Sequence, residues 1–368
     1  MSVTERDLMI IATVFILSIS LFLIPSDVFG HKPKIDTIYQ FGDSLSDTGN
    51  LIHEKPTGAD LFIAHYPYGE TFFRKPTGRP CDGRLIIDYF AQALGLPLLS
   101  PYLVKSDFKH GVNFAVSAAT ALNTSFLSNM GISQPQSYTN SSLEVQLEWF
   151  KTHLQSRAKK RLDRALFIVG PIGGNDHGFA TIANKTAKET MELVQLVIQK
   201  HKEIIGKLID LGATRVVVPG DLPNGCSPNF LTSGVTNDTS AYDEYGCLIS
   251  GNKYSAYHRG LLQRALAELR TTYPHAVILY ADFYTTFLNL IKNADNLGFE
   301  KENMLKACCG TGGAYNFDFP RLCGTVGLPV HVCPNPDMRV SWDGFHLTQK
   351  AYSLMAESLI RDLFPKLM

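Results

Sequence analysis

The sequence predicts an α/β protein, a three-layer α/β/α sandwich with a parallel sheet. Short apolar, β-branched runs alternate with amphipathic stretches of helical length, which is the pattern of a parallel sheet covered by helices. Polar segments rich in glycine and serine follow several of the apolar runs, and open α/β sheets bind ligands at the carboxyl ends of their strands. A chain of 368 residues with 45% hydrophobic content can also bury the large core that this architecture needs.

The individual elements follow from this alternation. The candidate strands are Ile38–Phe41, Gly111–Ala115, Ala165–Gly170, Arg215–Pro219 and Ala276–Tyr280. The candidate helices between them are Arg84–Leu94, Leu143–Ser156, Ala187–Leu211 and Tyr254–Tyr273. A last helix begins after Thr348, a good N-cap, and carries an apolar stripe at Tyr352, Met355, Leu359 and Leu363. We interpret that stripe as core.

A serine follows the first strand directly, within the segment Phe41–Asn50. Gly42 permits a sharp exit from the strand, and Ser44 stands between Asp43 and a glycine-rich turn. These residue types also make ordinary turns, so the segment alone is a weak signal. Its position at the end of a strand is nevertheless how an exposed nucleophile is presented.

A candidate base lies near the other end of the chain. A serine nucleophile needs a base within reach, and the base needs a third group to hold its tautomer. Asp343 and His346 are three positions apart across a glycine, so the carboxylate can meet the imidazole. A second Asp-x-x-His, at Asp107 and His110, lies in a charged segment that we interpret as a solvated loop. Spacing alone does not rank the two copies.

Four short blocks occur in a fixed order along the chain. They are Gly42–Asn50, Gly111–Ala115, Gly173–Asp176 and Asp343–His346. With these blocks the chain resembles the plant members of the GDSL esterase/lipase family, within the SGNH hydrolase superfamily, over nearly all of its mature length. The resemblance implies a flavodoxin-like SGNH hydrolase fold.

The resemblance also implies roles for particular residues. Ser44 is expected to be the nucleophile, with Asp343 and His346 completing a catalytic triad. The expected oxyanion-hole donors are Ser44, Gly111 and Asn175.

The second block departs from the family pattern in Val116–Thr120, where a glycine is common, and this affects the expected substrate contacts.

Three acidic residues near the blocks do not fit a catalytic role. Asp43, Asp47 and Asp176 lie beside the site, and we interpret them as structural acceptors for turn backbone.

Two long irregular segments, Glu54–Gly83 and Thr311–Met338, are rich in aromatic residues, glycine and proline. Loops of this length in a compact domain are usually functional or disordered. Their cysteines and aromatic residues argue against disorder, so we expect them either to wall the substrate pocket or to cover the core.

The N-terminal residues have the features of a targeting segment. Leu8–Ile24 is an uncharged apolar run, and Val28 and Gly30 fit the small-residue rule for cleavage before His31. We therefore predict a signal peptide over residues 1–30 and a single hydrolase domain over residues 31–368. An uncleaved membrane anchor is the alternative.

The glycosylation sequons and the cysteines agree with a secreted or secretory-pathway protein. N-glycosylation sequons begin at Asn123, Asn140, Asn184 and Asn237. Of the seven cysteines, Cys226 and Cys247 flank a polar loop that a bridge would close. Cys308, Cys309, Cys323 and Cys333 form a second group with two possible pairings, which leaves Cys81 as a buried free thiol.

Other classes of function are disfavoured. The net charge is zero, so no basic field indicates nucleic acid. No Cys-x-x-Cys or His-x-x-x-His spacing indicates a metal, and we expect no cofactor. No stable membrane association is expected after signal cleavage.

The predicted partner is a small-molecule ester, which the protein hydrolyses through an acyl-serine intermediate. His65–Arg84 and Asn113–Ala115 resemble the plant branch that includes sinapine esterase and acetylajmalan esterase, which implies a specialised-metabolite ester such as an acetylated alkaloid or a phenolic ester. The alternatives are an acyltransferase that uses the same acyl-enzyme and a non-catalytic secreted binding protein on this scaffold.

Overall fold

Five parallel strands form the central sheet, in a computed structural model that describes residues 34–54, 58–133, 138–156 and 161–368. The strands are Thr37–Phe41 (β1), Gly111–Asn113 (β2), Ala165–Val169 (β3), Arg215–Pro219 (β4) and Val277–Ala281 (β5). Their order in space is β2-β1-β3-β4-β5, which is the flavodoxin-like order. The predicted α/β fold class is confirmed. The predicted signal segment lies outside the described residues.

Helices cover both faces of this sheet. In chain order they are Ile86–Ala93 (α1), Thr124–Asn129 (α2), Leu143–Gln155 (α3), Gly174–Ile182 (α4), Ala187–Asp210 (α5), Pro228–Ser233 (α6), Ile249–Thr272 (α7), Phe283–Lys292 (α8) and Gln349–Leu367 (α9). Tyr39 and Phe41 of β1 share a core with α3, α5 and α7. Ile38, one position away on the strand, shares the opposite core with α1, α8 and α9. The period of two along β1 therefore gives each helical layer its own side chains.

Most predicted elements are present, with shifted ends. The last helix was expected to use its apolar stripe as core, and Tyr352, Met355, Leu359 and Leu363 are all buried. β5 begins at Val277 rather than Ala276, because the Ala276 N–H bonds to the Tyr273 carbonyl in a turn. Helices α2, α4, α6 and α8 were not predicted. In α4 the reason is that glycine and asparagine are poor helix formers.

Three disulfide bridges join cysteines that all lie within the described residues. The expected bridge Cys226–Cys247 is present. The second group pairs as Cys308–Cys333 and Cys309–Cys323, and Cys81 is a buried free thiol as predicted. Bridges of this kind persist in oxidising compartments, which agrees with a secretory-pathway protein.

Residues Ile35–Leu367 form one compact unit. Two short antiparallel strands, Cys309–Gly310 (β6) and His331–Val332 (β7), lie between α8 and α9 in the sequence. Among the helices that the structure describes, none has the length and apolar character needed to cross a membrane.

Candidate active site

Ser44 is presented by a tight exit from β1. Gly42 has a φ of +149°, and a Cβ there would stand 2.8 Å from the Pro171 carbonyl oxygen, so only glycine fits. The Gly42 N–H donates to Oε1 of Gln146, and Nε2 of Gln146 donates to the Gly42 carbonyl, both at 2.8 Å. This paired contact with α3 fixes the backbone from which Ser44 projects.

Asp343 and His346 lie on a closed turn just before α9. The Trp342 N–H donates to the His346 carbonyl at 2.8 Å, and Oδ1 of Asp343 accepts the backbone N–H groups of Phe345 and His346 at 2.9 and 2.8 Å. Gly344 has a φ of +97°, and a Cβ there would meet the Phe317 ring at 2.2 Å. The Asp-Gly-x-His sequence therefore produces this turn through its own side chain and its glycine.

The structure brings Ser44, His346 and Asp343 together although Ser44 and His346 are 302 positions apart. Nε2 of His346 is 2.8 Å from Oγ of Ser44, and Nδ1 is 2.7 Å from Oδ2 of Asp343. A carboxylate can only accept, so the Nδ1–H donates to Asp343 and Nε2 accepts from Ser44. This is the arrangement by which a histidine takes a proton from a serine.

Asp343 is held as an anion despite its burial. Burial alone would raise its pKa, but the charge of His346 and the hydrogen bonds from the turn act in the other direction, and the net effect lowers the pKa. Oδ2 also accepts a 2.7 Å hydrogen bond from the Tyr68 hydroxyl. Tyr68 was not singled out from the sequence, because 275 positions separate it from Asp343.

Gly111 does not lie at this site, and its expected role in the oxyanion hole is corrected. It pairs with Ile38 in the register of the sheet, near the start of β1, whereas Ser44 follows the end of that strand. The Gly111 N–H is directed to the Phe108 carbonyl, and its missing Cβ makes room for the Ile38 carbonyl. The glycine serves strand pairing.

The end of the second block reaches the serine instead. The Val116 N–H donates to the Gly42 carbonyl at 3.2 Å, and Ala118 lines the same cavity as Ser44. Ala118 has a φ of +64°, a left-handed conformation that favours glycine. Within the described residues, the backbone N–H groups of Ser44 and Ala118 donate no hydrogen bond. Both are therefore available to a ligand.

Asn175, near the start of α4, also lines the cavity. Its Nδ2 donates to the Ala119 carbonyl at 2.9 Å, which fixes the amide and leaves its second N–H for a ligand. The second Asp-x-x-His copy is not part of this arrangement. Nδ1 of His110 contacts the Asp36 carbonyl at 3.1 Å, and Asp107 accepts the Lys109 N–H.

Buried acceptors connect the first and third blocks to the segment that follows the second block. Asp47 accepts four backbone N–H groups: those of Gly49, Asn50, Leu51 and Ser117. Asp176 accepts the N–H groups of Ala121 and Leu122. Both carboxyl groups hold turn backbone, which agrees with the structural role expected for them.

A cavity of about 230 Å³ opens beside Ser44 and His346. Both long irregular segments contribute to it, through Phe62 and Pro80 from one and Phe319 and Leu322 from the other. Further aromatic side chains in its wall are Tyr138, Phe179, Phe230 and Phe345. No lysine or arginine is among the described residues that line it, so the wall suits an apolar ligand without negative charge.

Two groups of buried ionisable side chains lie at this cavity, and two of their members, Asp43 and Asp221, line it. The carboxyl cluster consists of Asp43, Asp176 and Asp221, and the imidazole cluster of His177, His201 and His258. Burial, as the main cause, raises the pKa of Asp43 to about 8 and those of Asp176 and Asp221 to about 7. Burial also lowers the pKa of each imidazole to about 4. Both clusters thus favour their neutral forms.

The predicted glycosylation sites differ in exposure. Asn140, Asn184 and Asn237 are exposed. Asn123 is half-buried at the start of α2, and its amide donates to Glu144 at 2.8 Å. Because the amide nitrogen carries the glycan, Asn123 is the poorest acceptor of the four.

Comparison with known proteins agrees with the geometry. The profile of the GDSL-like lipase/acylhydrolase family matches residues 38–359. The chain is 46% identical to acetylajmalan esterase 1 from Rauvolfia serpentina, with 96% of this chain and 93% of that protein covered. It is 48% identical to another acetylajmalan esterase from that plant, over 88% of this chain and 84% of the relative.

A GDSL esterase/lipase from Arabidopsis thaliana is 44% identical, over 89% of this chain and 84% of the relative. The family match extends over most of the chain and includes both the strand that presents Ser44 and the turn that carries His346. The chain therefore belongs to the GDSL-like lipase/acylhydrolase family and is a carboxylic ester hydrolase.

Proposed function

We propose that this protein hydrolyses an ester of a small, apolar specialised metabolite through an acyl-enzyme on Ser44. The observation that carries the proposal is the hydrogen-bonded series of Ser44, His346 and Asp343 in the wall of an apolar cavity. Serine attack with a neighbouring base is the chemistry for which such a series is suited.

In the first half-reaction Oγ of Ser44 bonds to the ester carbonyl carbon while its proton moves to Nε2 of His346. The carbon–oxygen bond to the alcohol then breaks, and His346 returns the proton to the departing alcohol. Asp343 stabilises the imidazolium in between. Water repeats the sequence on the acyl-serine, so the products are the free acid, the alcohol and unchanged enzyme.

The tetrahedral intermediate carries a negative charge on the former carbonyl oxygen. We assign its donors to the backbone N–H groups of Ser44 and Ala118 and to Nδ2 of Asn175, since all three lie on the cavity wall. Removing one such donor typically lowers kcat by about 10²–10³-fold. This set replaces the one that the sequence suggested.

The substrate class follows from the cavity and the relatives. Two of the relatives are named for acetylajmalan, and the wall here is apolar and aromatic, with no lysine or arginine among its described residues. We therefore propose an acetyl or other short acyl ester of a polycyclic or aromatic alcohol, in preference to a long-chain lipid or an acid-bearing ester.

A serine-directed phosphonate and an ester panel test this proposal. We expect one covalent adduct, mapped to Ser44 and absent in Ser44→Ala, and free acid as the main product even with millimolar alcohol added. A folded protein without the adduct is a binding protein on this scaffold. A dominant new ester in the presence of alcohol makes it a transferase.

A further inference from the structure

The Tyr68 hydroxyl makes a contact that the proposed reaction has not used. It donates to Oδ2 of Asp343 at 2.7 Å, on the same oxygen that accepts the Nδ1–H of His346 at 2.7 Å. Oδ1 of Asp343 accepts two backbone N–H groups. A carboxylate offers about four lone-pair sites, so every site on Asp343 is filled, and one of them is filled by Tyr68.

The Tyr68 hydroxyl stays protonated and so remains a hydrogen-bond donor. Its side chain is fully buried, with its ring edge against Trp342 at 6.1 Å between centroids. Burial first, and then the charge of Asp343, raise its pKa well above the ordinary value. The hydroxyl therefore keeps its proton throughout the pH range in which the enzyme works, and the carboxylate of Asp343 is its acceptor.

We propose that Tyr68 is a positioning residue that extends the series Ser44–His346–Asp343 by a fourth member. This rests on the proposed function. The phenol fixes the rotation of the Asp343 carboxylate so that Oδ2 faces His346, and it draws negative charge from that oxygen. Both effects set how strongly the carboxylate stabilises the imidazolium that forms during the reaction.

Tyr68→Phe tests the proposal, because it removes one oxygen and keeps the ring that packs on Trp342. Without the phenol, Asp343 is a stronger acceptor and stabilises the imidazolium more, so the unprotonated imidazole that the reaction needs forms only at higher pH. The acidic limb of kcat/KM should therefore move to higher pH by about half a unit to one unit. We expect kcat to fall about tenfold, the size of one lost hydrogen bond, because the rotation of the carboxylate is no longer fixed. KM should be unchanged, since Tyr68 is not among the residues lining the cavity.

The matched control is Tyr352→Phe. Tyr352 is also buried, and its hydroxyl accepts the Leu347 N–H beside the same turn but does not touch Asp343. The other titratable groups near the pair are Cys81, whose pKa burial raises well above its ordinary value, and Asp43, at about 8. Cys81 and Asp43 are unchanged in both variants. A difference in the acidic limb between the variants therefore reports the loss of the contact between Tyr68 and Asp343. Tyr352→Phe should leave the acidic limb in place.

A measurement without substrate separates this proposal from the proposed function. The Nδ1–H proton of His346 should give a far-downfield proton NMR signal, which moves further downfield in Tyr68→Phe. Should Tyr68→Phe not fold, 3-fluorotyrosine placed at position 68 is a stronger donor and should move both readouts the opposite way.

An acidic limb and an Nδ1–H signal that are unchanged in Tyr68→Phe would overturn the positioning role, as would an equal shift in Tyr352→Phe. If wild-type protein hydrolyses no ester, the proposed function fails, and the NMR comparison still decides whether Tyr68 tunes Asp343.

Discussion

Ser44 has an ordinary side chain, and its proposed reactivity comes from what surrounds it. One nitrogen of His346 accepts from its hydroxyl while the other donates to a buried anion. The anion stays ionised in a site whose burial would otherwise neutralise it. At the scale of single residues, the chemistry thus depends on fixed hydrogen bonds more than on any unusual residue.

The two Asp-x-x-His copies provide the sharpest comparison at this scale. We expect His346→Ala to reduce kcat by several orders of magnitude and to leave only the residual rate from oxyanion donors and binding. His110→Ala should retain most activity, because His110 contacts a carbonyl near the start of β1. Initial rates on the preferred ester measure both. The reverse order of losses would refute the assignment of His346 as base.

Sequence patterns located the site residues correctly where a short segment of the chain carries the whole signal. Asp343 and His346 lie on one turn and Ser44 directly follows a strand, so short motifs located all three. Gly111 was misplaced because a motif does not state the register of its strand, and three further residues separate Ile38 from the end of β1. Tyr68 had no local signal, since only the folded chain brings it to Asp343.

At the scale of elements, β6 supports the turn that carries Asp343. The Cys308 N–H donates to the Ser341 carbonyl at 2.9 Å and the Cys309 N–H to the Trp342 carbonyl at 2.7 Å. Two bridges hold β6 through these same cysteines. The spacing of the four cysteines left two pairings open, because spacing does not say which sulfur atoms face each other.

The support from β6 predicts a specific effect of removing one bridge. The double variant Cys309→Ser/Cys323→Ser should lose up to about 3 kcal/mol of unfolding free energy in the chain-entropy model and should show a lower kcat, because the turn before His346 loosens. The control, Cys226→Ser/Cys247→Ser, opens a loop on the cavity wall and should raise KM instead. Denaturant titration and steady-state kinetics measure these effects. Equal kcat losses in both would contradict the link between β6 and the turn.

At the scale of the whole molecule, the two buried clusters make stability depend on pH. The native carboxyl groups hold protons that the unfolded chain releases near pH 4, so their stabilisation is lost as pH rises through about 7 to 8. The native imidazoles stay unprotonated below about pH 6.5, where those of the unfolded chain bind protons. Their contribution to stability is therefore lost as pH falls toward about 4. The two slopes oppose each other below pH 6.5, and only the carboxyl slope remains above it.

Asp221→Asn isolates part of that slope. Its Oδ2 is buried without a hydrogen-bond partner among the described residues, and Nδ1 of His258, 3.7 Å away, belongs to an imidazole whose pKa burial lowers to about 4. An ionised Asp221 is therefore poorly compensated. The pKa of Asp221 is about 4 in the unfolded chain and about 7 in the native one, so Tm of the wild type should fall relative to Tm of the variant as pH rises from 5 to 7. Glu302→Gln changes an exposed acid and should follow the wild type. Parallel curves for wild type and Asp221→Asn between pH 5 and 7 would contradict the raised pKa.

Secretion and glycosylation remain predictions for the intact protein. We expect the mature chain to begin near His31 and to carry glycans at Asn140, Asn184 and Asn237 but not at Asn123, where the amide is engaged with Glu144. N-terminal sequencing and glycopeptide mapping measure both. An intact Met1 on unglycosylated protein would end this interpretation.

The distance of 302 positions between Ser44 and His346 also has a consequence for biosynthesis. A growing chain acquires its nucleophile with the first strand of the sheet but has no base until almost the whole chain has been made. Every product that ends before His346, whether a nascent chain or a fragment, therefore holds Ser44 without the base that activates it. Because the base is synthesised last, the proposed activity appears only after the segments that carry Ser44 and His346 have come together.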